Sequence, residues 1–203
     1  AWHMRIAGFG RGALAFRPDF IAAIREAELV GLQQNWLPVL EDTIVLFAML
    51  GLPAPHPRGV EVHLPYKLLV DGSWFRYLAG KKVLLVGTHA PALLEAHKRK
   101  GFLDAYQRFG PVDKVKIVGA IRTRSREEGG AWADYEKVLG ESRRYDYDVA
   151  LLSCGVTAKP LSWHLKKRGK TAIDAGFVFD ALLGDKEREQ RPIFSQIKWP
   201  SPC

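Results

Sequence analysis

Two short segments, one before the middle of the chain and one in its second half, combine glycine with hydroxyl or imidazole side chains directly after an apolar run. The first follows residues 83–86, and the second follows residues 148–152. Glycine lets the backbone approach a ligand closely, and free amides at the start of a helix attract anions. The residues of these loops that we consider for anion binding are Gly87, Thr88, His89, Ser153, Gly155 and Thr157. The combination predicts a site for a phosphate-containing ligand.

The glycine spacing, however, matches neither of two common phosphate-binding motifs. The chain contains no Gly-x-x-x-x-Gly-Lys-Ser/Thr loop, and Gly8, Gly10 and Gly12 do not have the Gly-x-Gly-x-x-Gly spacing. A glycine after a strand is also common in a simple tight turn. A nucleotide site and a pair of structural turns both remain open on this evidence.

Short apolar strands alternate with helices along most of the chain. The expected strands cover residues 5–9, 28–32, 83–86, 115–118, 148–153 and 171–174. One helix is expected to begin near Pro18. Further helices are expected over residues 44–50, 68–78, 91–100, 131–139 and 157–168. Continuous apolar strands between helices indicate a parallel sheet that is covered on both faces. We predict an α/β three-layer sandwich with a mostly parallel sheet of about six strands, which binds its ligand at the carboxyl ends of the strands.

Local signals predict where several helices begin and end. Thr157 is expected to cap the helix that follows it, Pro160 is tolerated in the first turn, and Gly169 follows the basic last turn. Gly72 weakens the expectation of one continuous helix over residues 68–78.

Size and composition predict one compact domain. The 203 residues are 47% hydrophobic and 26% charged, and we assign residues 1–203 to a single domain. Cys154 and Cys203 do not make a disulfide framework, which favours a reducing compartment. The sequence has no apolar run long enough to cross a bilayer, so we expect a cytoplasmic protein without a transmembrane segment.

The chain has a net charge of +8, and its lysine and arginine residues cluster at residues 98–100, 122–126, 143–144 and 166–170. Basic residues at helix ends complement the helix dipole, and the alternative is that they attract an anionic substrate or surface. The sequence shows neither the pattern of an RNA-recognition sheet nor zinc-finger spacing. We therefore expect no nucleic-acid partner.

Three segments carry a family resemblance. They are Phe-Gly-Arg-Gly-Ala-Leu-Ala at 9–15, Lys-Lys-Val-Leu-Leu-Val-Gly at 81–87, and the block at 148–176 that includes Leu-Leu-Ser-Cys-Gly-Val-Thr-Ala-Lys-Pro-Leu. In this order they resemble bacterial glycosyltransferases of the GT-D fold, and the last block is the most specific. The resemblance implies a Rossmann-like domain that transfers a sugar from a nucleotide donor, usually with a divalent metal. We expect a UDP-sugar as donor and an unknown acceptor.

The first segment departs from the family pattern. The family's first strand typically ends in Gly-Asp-Gly-Glu, whose carboxylates help to hold the metal and the donor diphosphate. The matching positions here are Gly10, Arg11, Gly12 and Ala13. An arginine repels a cation but can itself bind diphosphate oxygens. The resemblance thus assigns Gly10, Arg11 and Gly12 to the donor site, with no required cofactor and a weak or absent need for Mg²⁺ or Mn²⁺.

Asp42 and Asp174 are the candidates for activating the acceptor hydroxyl. Glu41, beside Asp42, is a further possible acid or base. Asp42 and Asp174 each have a structural alternative, because Asp42 can cap a helix and Asp174 can cap a turn. The family often carries Asp-x-Gly-His at the latter position, where this chain has Phe177 in place of the histidine. His89 is a candidate for phosphate binding or proton transfer.

Other residues of catalytic types have mainly structural interpretations. Cys154 is expected to be a small buried filler rather than a nucleophile. Trp36, Trp74 and Trp132 are candidates for stacking on a base or sugar, with a place in the core as the alternative.

The leading hypothesis is a glycosyltransferase that uses a nucleotide-sugar donor. A non-catalytic relative that binds a nucleotide or a protein partner is the alternative, and the lost carboxylates favour it. A methyltransferase or reductase on a similar sheet has less support, because the expected dinucleotide glycines are not evident. A homo-oligomer and a place within a longer chain both remain open.

Overall fold

The computed structural model describes residues 17–32, 41, 44–45, 47–49, 51, 59–61, 64–99, 114–124 and 133–183. Strands and helices alternate along these residues. The strands are β1 (Val30–Leu32), β2 (Gly59–Glu61), β3 (Lys82–Gly87), β4 (Lys116–Ile121), β5 (Val149–Ser153) and β6 (Thr171–Asp174). The helices are α1 (Arg17–Glu26), α2 (Leu64–Val70), α3 (Ser73–Leu78), α4 (Ala90–Lys98), α5 (Tyr135–Glu141), α6 (Ala158–Lys167) and α7 (Val178–Leu182). Single 3-10 turns cover Ser142–Arg144 and Gly155–Thr157.

The described strands form two parallel sheets, one of four strands in the order β4-β3-β5-β6 and one of two strands, β1 and β2. Five of the six predicted strands are present, and the predicted strand at residues 5–9 lies outside the described residues. The sequence interpretation did not predict β2, because its three residues show no apolar run and follow Pro53, Pro55 and Pro57 in the sequence. The mostly parallel α/β fold is confirmed.

Side chains from the four-stranded sheet pack on both of its faces. Val83 and Leu85 of β3 face one core together with residues of α2, α3, α4 and α7. Leu84 and Val86 face a second core together with residues of α5 and α6. All four are almost completely buried, and each contributes about 1.5–3 kcal/mol by leaving water. The two cores make the predicted three-layer sandwich.

The single helix predicted over residues 68–78 is wrong. Gly72 adopts a positive φ of 74°, which an α-helix cannot contain, so the segment divides into α2 and α3. The indole Nε1 of Trp74 donates a hydrogen bond of 2.6 Å to the carbonyl oxygen of Pro65 and ties the two helices together. Trp74 is buried in the core, which confirms its structural interpretation rather than a role in stacking on a ligand.

Helix α1 packs against α6 through polar contacts. His164 lies 3.0 Å from the Asp19 carboxylate, and Lys167 lies 2.7 Å from Glu26. Lysines near the end of α6 therefore contact acidic residues and complement the helix dipole, as the helix-end interpretation predicts. Within the described ranges, no helix is long and apolar enough to cross a membrane.

Candidate functional site

The carboxyl ends of three neighbouring strands bring the predicted loops together. Gly87 at the end of β3 pairs with Ser153 of β5, and Leu152 pairs with Asp174 of β6. Neighbouring strands lie about 4.8 Å apart, so Gly87, Ser153 and Asp174 share an edge roughly 10 Å wide. Thr88 and His89 continue from β3, and the turn Gly155–Thr157 continues from β5. The structure thus brings the residues of both predicted loops and Asp174 to one edge of the sheet.

Two glycines shape this edge. A Cβ atom at Gly87 would lie 2.6 Å from the Ser153 carbonyl oxygen, so the close approach of β3 and β5 excludes a side chain there. Gly155 has a φ of 64°, which most other residues adopt only with strain. Strand packing therefore requires glycine at residue 87, and the backbone turn after β5 favours glycine at residue 155.

The two hydroxyl groups of the second loop donate within the protein. Ser153 Oγ donates to the carbonyl oxygen of Gly176 at 2.6 Å, and Thr157 Oγ1 donates to that of Cys154 at 2.7 Å. Thr157 occupies the N-cap position of α6, but its side chain makes no cap hydrogen bond, so the predicted side-chain cap is wrong. Because both hydroxyl protons are used, an anion at this loop would bind mainly to backbone amides and cations.

A lysine in the first turn of α6 supplies such a cation. Lys159 Nζ lies 2.7 Å from Asp174 Oδ2, and Asp174 Oδ1 accepts a hydrogen bond from the Gly176 amide. Loss of hydration lowers the pKa of Lys159, but the Asp174 carboxylate raises it by more, and the net pKa is above that of a free lysine. Lys159 therefore carries a positive charge at neutral pH, and its side chain remains partly accessible to a ligand.

His89 faces a buried carboxylate. Its Nε2 lies 3.3 Å from Asp180 Oδ1, with the histidine side chain about one-third exposed and the aspartate almost fully buried. His89 is also the N-cap residue of α4, directly after the Thr88 loop. A carboxylate that orients an exposed imidazole is a common arrangement for proton transfer.

A third acidic residue lies beyond the end of β4. Asp134 accepts hydrogen bonds from the Arg124 amide at 2.7 Å and from its guanidinium at 2.9 Å. Burial alone would raise the pKa of Asp134, but the hydrogen bonds and charge of Arg124 outweigh this and hold the pKa below its ordinary value. This pair fixes the start of α5 against the sheet.

The carboxylates described at this edge do not fit a divalent cation. Asp134 and Asp174 are paired with Arg124 and Lys159, whose positive charges repel a metal ion, and Asp180 is almost fully buried against His89. Across the described ranges, no group of three or more histidine, cysteine, aspartate or glutamate residues is arranged to hold a metal.

Cys154 lies below the second loop and is completely buried. Burial raises the pKa of its thiol to about 12. The interpretation as a buried filler is confirmed, because a protonated and inaccessible thiol is a poor nucleophile.

Several predicted residues cannot be related to this edge. Glu41 is helical and exposed. The positions that lie outside the described residues are Gly10, Arg11, Gly12, Trp36, Asp42 and Trp132. The roles predicted for these six residues stay predictions.

The sequence interpretation missed Lys159 and Asp180. Lys159 carried a usable signal, because a lysine in the first turn of a helix opposes the helix dipole and so calls for a negative partner. Asp180 lies 91 residues from His89, and no local pattern connects the two.

Comparisons with known proteins agree with this architecture. A sequence profile of the GT-D fold-like domain matches residues 2–182. A solved structure titled "A New Glycosyltransferase (DUF1792) from Streptococcus sanguinis" superposes with a TM-score of 0.57 and 16% identity, over 92% of this chain and 80% of that one. A selenomethionine structure of domain of unknown function 1792 superposes with a TM-score of 0.55 and 16% identity, over 86% of this chain and 67% of that one.

A curated protein matches over a shorter segment. It is a probable cytosol aminopeptidase of Dechloromonas aromatica (strain RCB), 27% identical over 84 residues, which are 40% of this chain and 17% of that protein. The match thus spans less than a fifth of the aminopeptidase. The GT-D profile, by contrast, extends over most of the chain, and the chain belongs to the GT-D fold-like domain family.

Proposed function

We propose that this domain is a glycosyltransferase that binds a nucleotide sugar, preferably a UDP-sugar, at the carboxyl edge of its four-stranded sheet. The observation that carries the proposal is the position of Lys159, a partly exposed cation in the first turn of α6 and beside the glycine loop. The membership of the GT-D fold-like family and the glycosyltransferase among the similar structures support the same class.

The reaction requires positive charge at the departing group. The bond between the anomeric carbon of the sugar and a diphosphate oxygen breaks, and the nucleotide diphosphate leaves with the electron pair. Lys159 and the amides at the start of α6 would stabilise this added negative charge. Arg11 would add a second cation, as the resemblance of residues 9–15 implies.

The acceptor hydroxyl must lose a proton as its oxygen bonds to the anomeric carbon. Asp42 and Asp174 are the carboxylates predicted for this step. Asp174 is already in contact with an ammonium group, so we favour His89 as the proton acceptor, with Asp180 orienting its ring. Asp174 would then act as a positioning residue for Lys159.

We further propose that any metal requirement is weak or absent. Asp134 and Asp174 lie beside the cations Arg124 and Lys159. By the family resemblance, Arg11 and Ala13 stand where the family has two metal-binding carboxylates. Activity in excess EDTA should therefore remain close to activity with Mg²⁺ or Mn²⁺.

The first test is the binding of UDP and UDP-sugars, measured by thermal unfolding and by calorimetry, with other nucleoside diphosphates for comparison. A ligand at one hundred times its dissociation constant adds about 2.7 kcal/mol of stability. For a domain of this size that raises the melting temperature by roughly 5–10 °C.

Variants then assign the site. Lys159→Gln should weaken UDP binding by about 10- to 100-fold, the value of one charge-assisted hydrogen bond. Lys98→Gln is the matched control, because Lys98 also contacts a carboxylate but lies at the far end of α4. Equal losses in both variants, or no binding of any nucleotide, would refute the donor site.

A turnover assay distinguishes a glycosyltransferase from a relative that binds a nucleotide without catalysis. Release of UDP from a UDP-sugar, with water or a supplied sugar as acceptor, would support the transferase. The lost carboxylates at residues 11 and 13 favour a non-catalytic relative as second candidate. Nucleotide binding that depends on Lys159, without turnover of any donor, would support that alternative.

A further inference from the structure

A second basic region lies at the opposite edge of the four-stranded sheet. Arg143 and Arg144 precede β5, and Arg168 and Lys170 precede β6. These four residues surround a depression of about 480 Å³, together with the segment 145–147. The two pairs are far apart in the sequence, and the parallel pairing of β5 with β6 brings them together.

The charge of the depression is strongly unbalanced. Its four cations face one lining carboxylate, Asp146, which is already in contact with Lys82. Arg143 and Arg144 are exposed, and neither contacts a carboxylate among the described residues. The positive charge at the rim is therefore available to a negatively charged ligand.

Hydrogen bonds to backbone carbonyl groups hold the other two cations in place. Arg168 Nη1 donates to the carbonyl oxygen of Leu139 at 2.9 Å, and Lys170 Nζ donates to that of Tyr147 at 2.6 Å. Lys170 also lies 5.0 Å from the centre of the Tyr147 ring. Because carbonyl oxygens leave the positive charge of a side chain in place, these contacts orient the cations without neutralising them.

The floor of the depression is also packed. Tyr145 covers Gly119 of β4 so closely that a Cβ atom at residue 119 would overlap its ring. Tyr147 is almost completely buried beneath Lys170. The cations thus surround a preformed surface.

We propose that this depression binds the phosphate groups of a small soluble ligand. Its volume is within the usual range for small-molecule sites. Guanidinium groups bind phosphate oxygens in pairs, and an ammonium group adds a compact charge. Strand β5 has five residues, so roughly 16 Å separates this site from the proposed donor site at the other edge. The phosphate site is independent of the proposed glycosyltransferase function.

Calorimetry with inorganic pyrophosphate at physiological salt tests the site. We expect the wild type to bind pyrophosphate, and the double variant R143Q/R144Q to lose at least tenfold in affinity at this site. Both residues are exposed, so the variant should keep the wild-type melting temperature. Arg76→Gln is the matched control, because it removes an exposed guanidinium from α3 and should leave the affinity unchanged.

Pyrophosphate also resembles the diphosphate of a nucleotide sugar, so Lys159→Gln is measured in parallel. Retained pyrophosphate binding in Lys159→Gln, together with its loss in R143Q/R144Q, would support the second site. Loss in Lys159→Gln alone, or an equal loss in Arg76→Gln, would overturn it.

A binding experiment with lipid vesicles distinguishes a soluble phosphate ligand from the phosphate of a lipid headgroup. Vesicles of phosphatidylcholine with phosphatidylglycerol present phosphate at a surface rather than on a soluble molecule. Binding to these vesicles without binding to free pyrophosphate would overturn the proposal, as would no binding to either probe.

Discussion

Because β3 and β5 approach closely at Gly87, we expect a single added methyl group there to lower the free energy of unfolding. In Gly87→Ala the new Cβ would lie 2.6 Å from the Ser153 carbonyl oxygen and 3.2 Å from two further atoms of Ser153. Ordinary contacts begin at about 3.4 Å. The neighbouring strand would have to move by several tenths of an ångström, but both strands are central in the sheet and hydrogen-bonded on both sides.

The expected cost is that of overpacking a rigid core, about 1–3 kcal/mol. Alanine also reduces the entropy of the unfolded chain, which offsets about 0.4–1 kcal/mol of this cost. With the middle of both ranges the net loss is about 1.3 kcal/mol. It should lower the melting temperature by roughly 3–5 °C, at about 2–4 °C per kcal/mol for a domain of this size.

The same substitution at Gly140 is the matched control. Gly140 lies in α5, and a Cβ atom there would meet nothing within 4 Å. Alanine is the better helix former by up to about 1 kcal/mol, so Gly140→Ala should stabilise the protein slightly. Urea denaturation monitored by circular dichroism measures both variants.

We therefore expect the change in stability on substitution by alanine to be a loss at Gly87 and a gain at Gly140. A Gly87→Ala variant as stable as the wild type would refute the close approach of the two strands. Destabilisation of both variants by the same amount would show that backbone contacts do not distinguish these positions.

Two further predictions concern buried groups. Asp134→Asn should cost about 1.5–3 kcal/mol at pH 7, because it removes a charge that accepts several hydrogen bonds from Arg124. The native pKa of Asp134 is lowered, so this stability is present above the ordinary value of 3.8 and is lost as the pH falls through the native pKa. Urea titrations from pH 7 to 2 should therefore show the variant and the wild type converging in acid, and a constant difference would contradict the assignment. In a Cys203→Ser background, Cys154 should react with a thiol reagent at pH 8 at least about 100-fold more slowly in the native than in the unfolded protein, because its raised pKa of about 12 leaves little thiolate. Fast native labelling would show that the thiol is accessible.

Local patterns in the sequence were sufficient to predict most strands. Residues 83–86 and 149–152 are continuous apolar runs, and a strand buried on both faces requires such a run. The bounds of β6 match the prediction, since Gly169 ends the preceding helix and β-branched residues follow. The same local reasoning failed at Gly72, where the helical spacing of apolar residues concealed a left-handed backbone turn.

The position of the candidate site could be predicted from the sequence, but the hydrogen-bond partners of its side chains could not. Glycines in the sequence indicated where the strands end. The parallel pairing of β3 with β5 then places Gly87 beside Ser153. The hydroxyl groups were predicted to serve a ligand, but the structure uses their protons internally, since a buried polar hydrogen must find an acceptor.

The sequence by itself determined the class of fold, the apolar strands and the loops that follow them, because hydrophobic runs and glycines act over a few residues. Only the tertiary structure decided which charges meet. His89 contacts Asp180, Lys159 contacts Asp174, and the basic segments before β5 and β6 converge on one depression. Sheet topology brings these groups together across long stretches of chain, and no local spacing encodes such contacts.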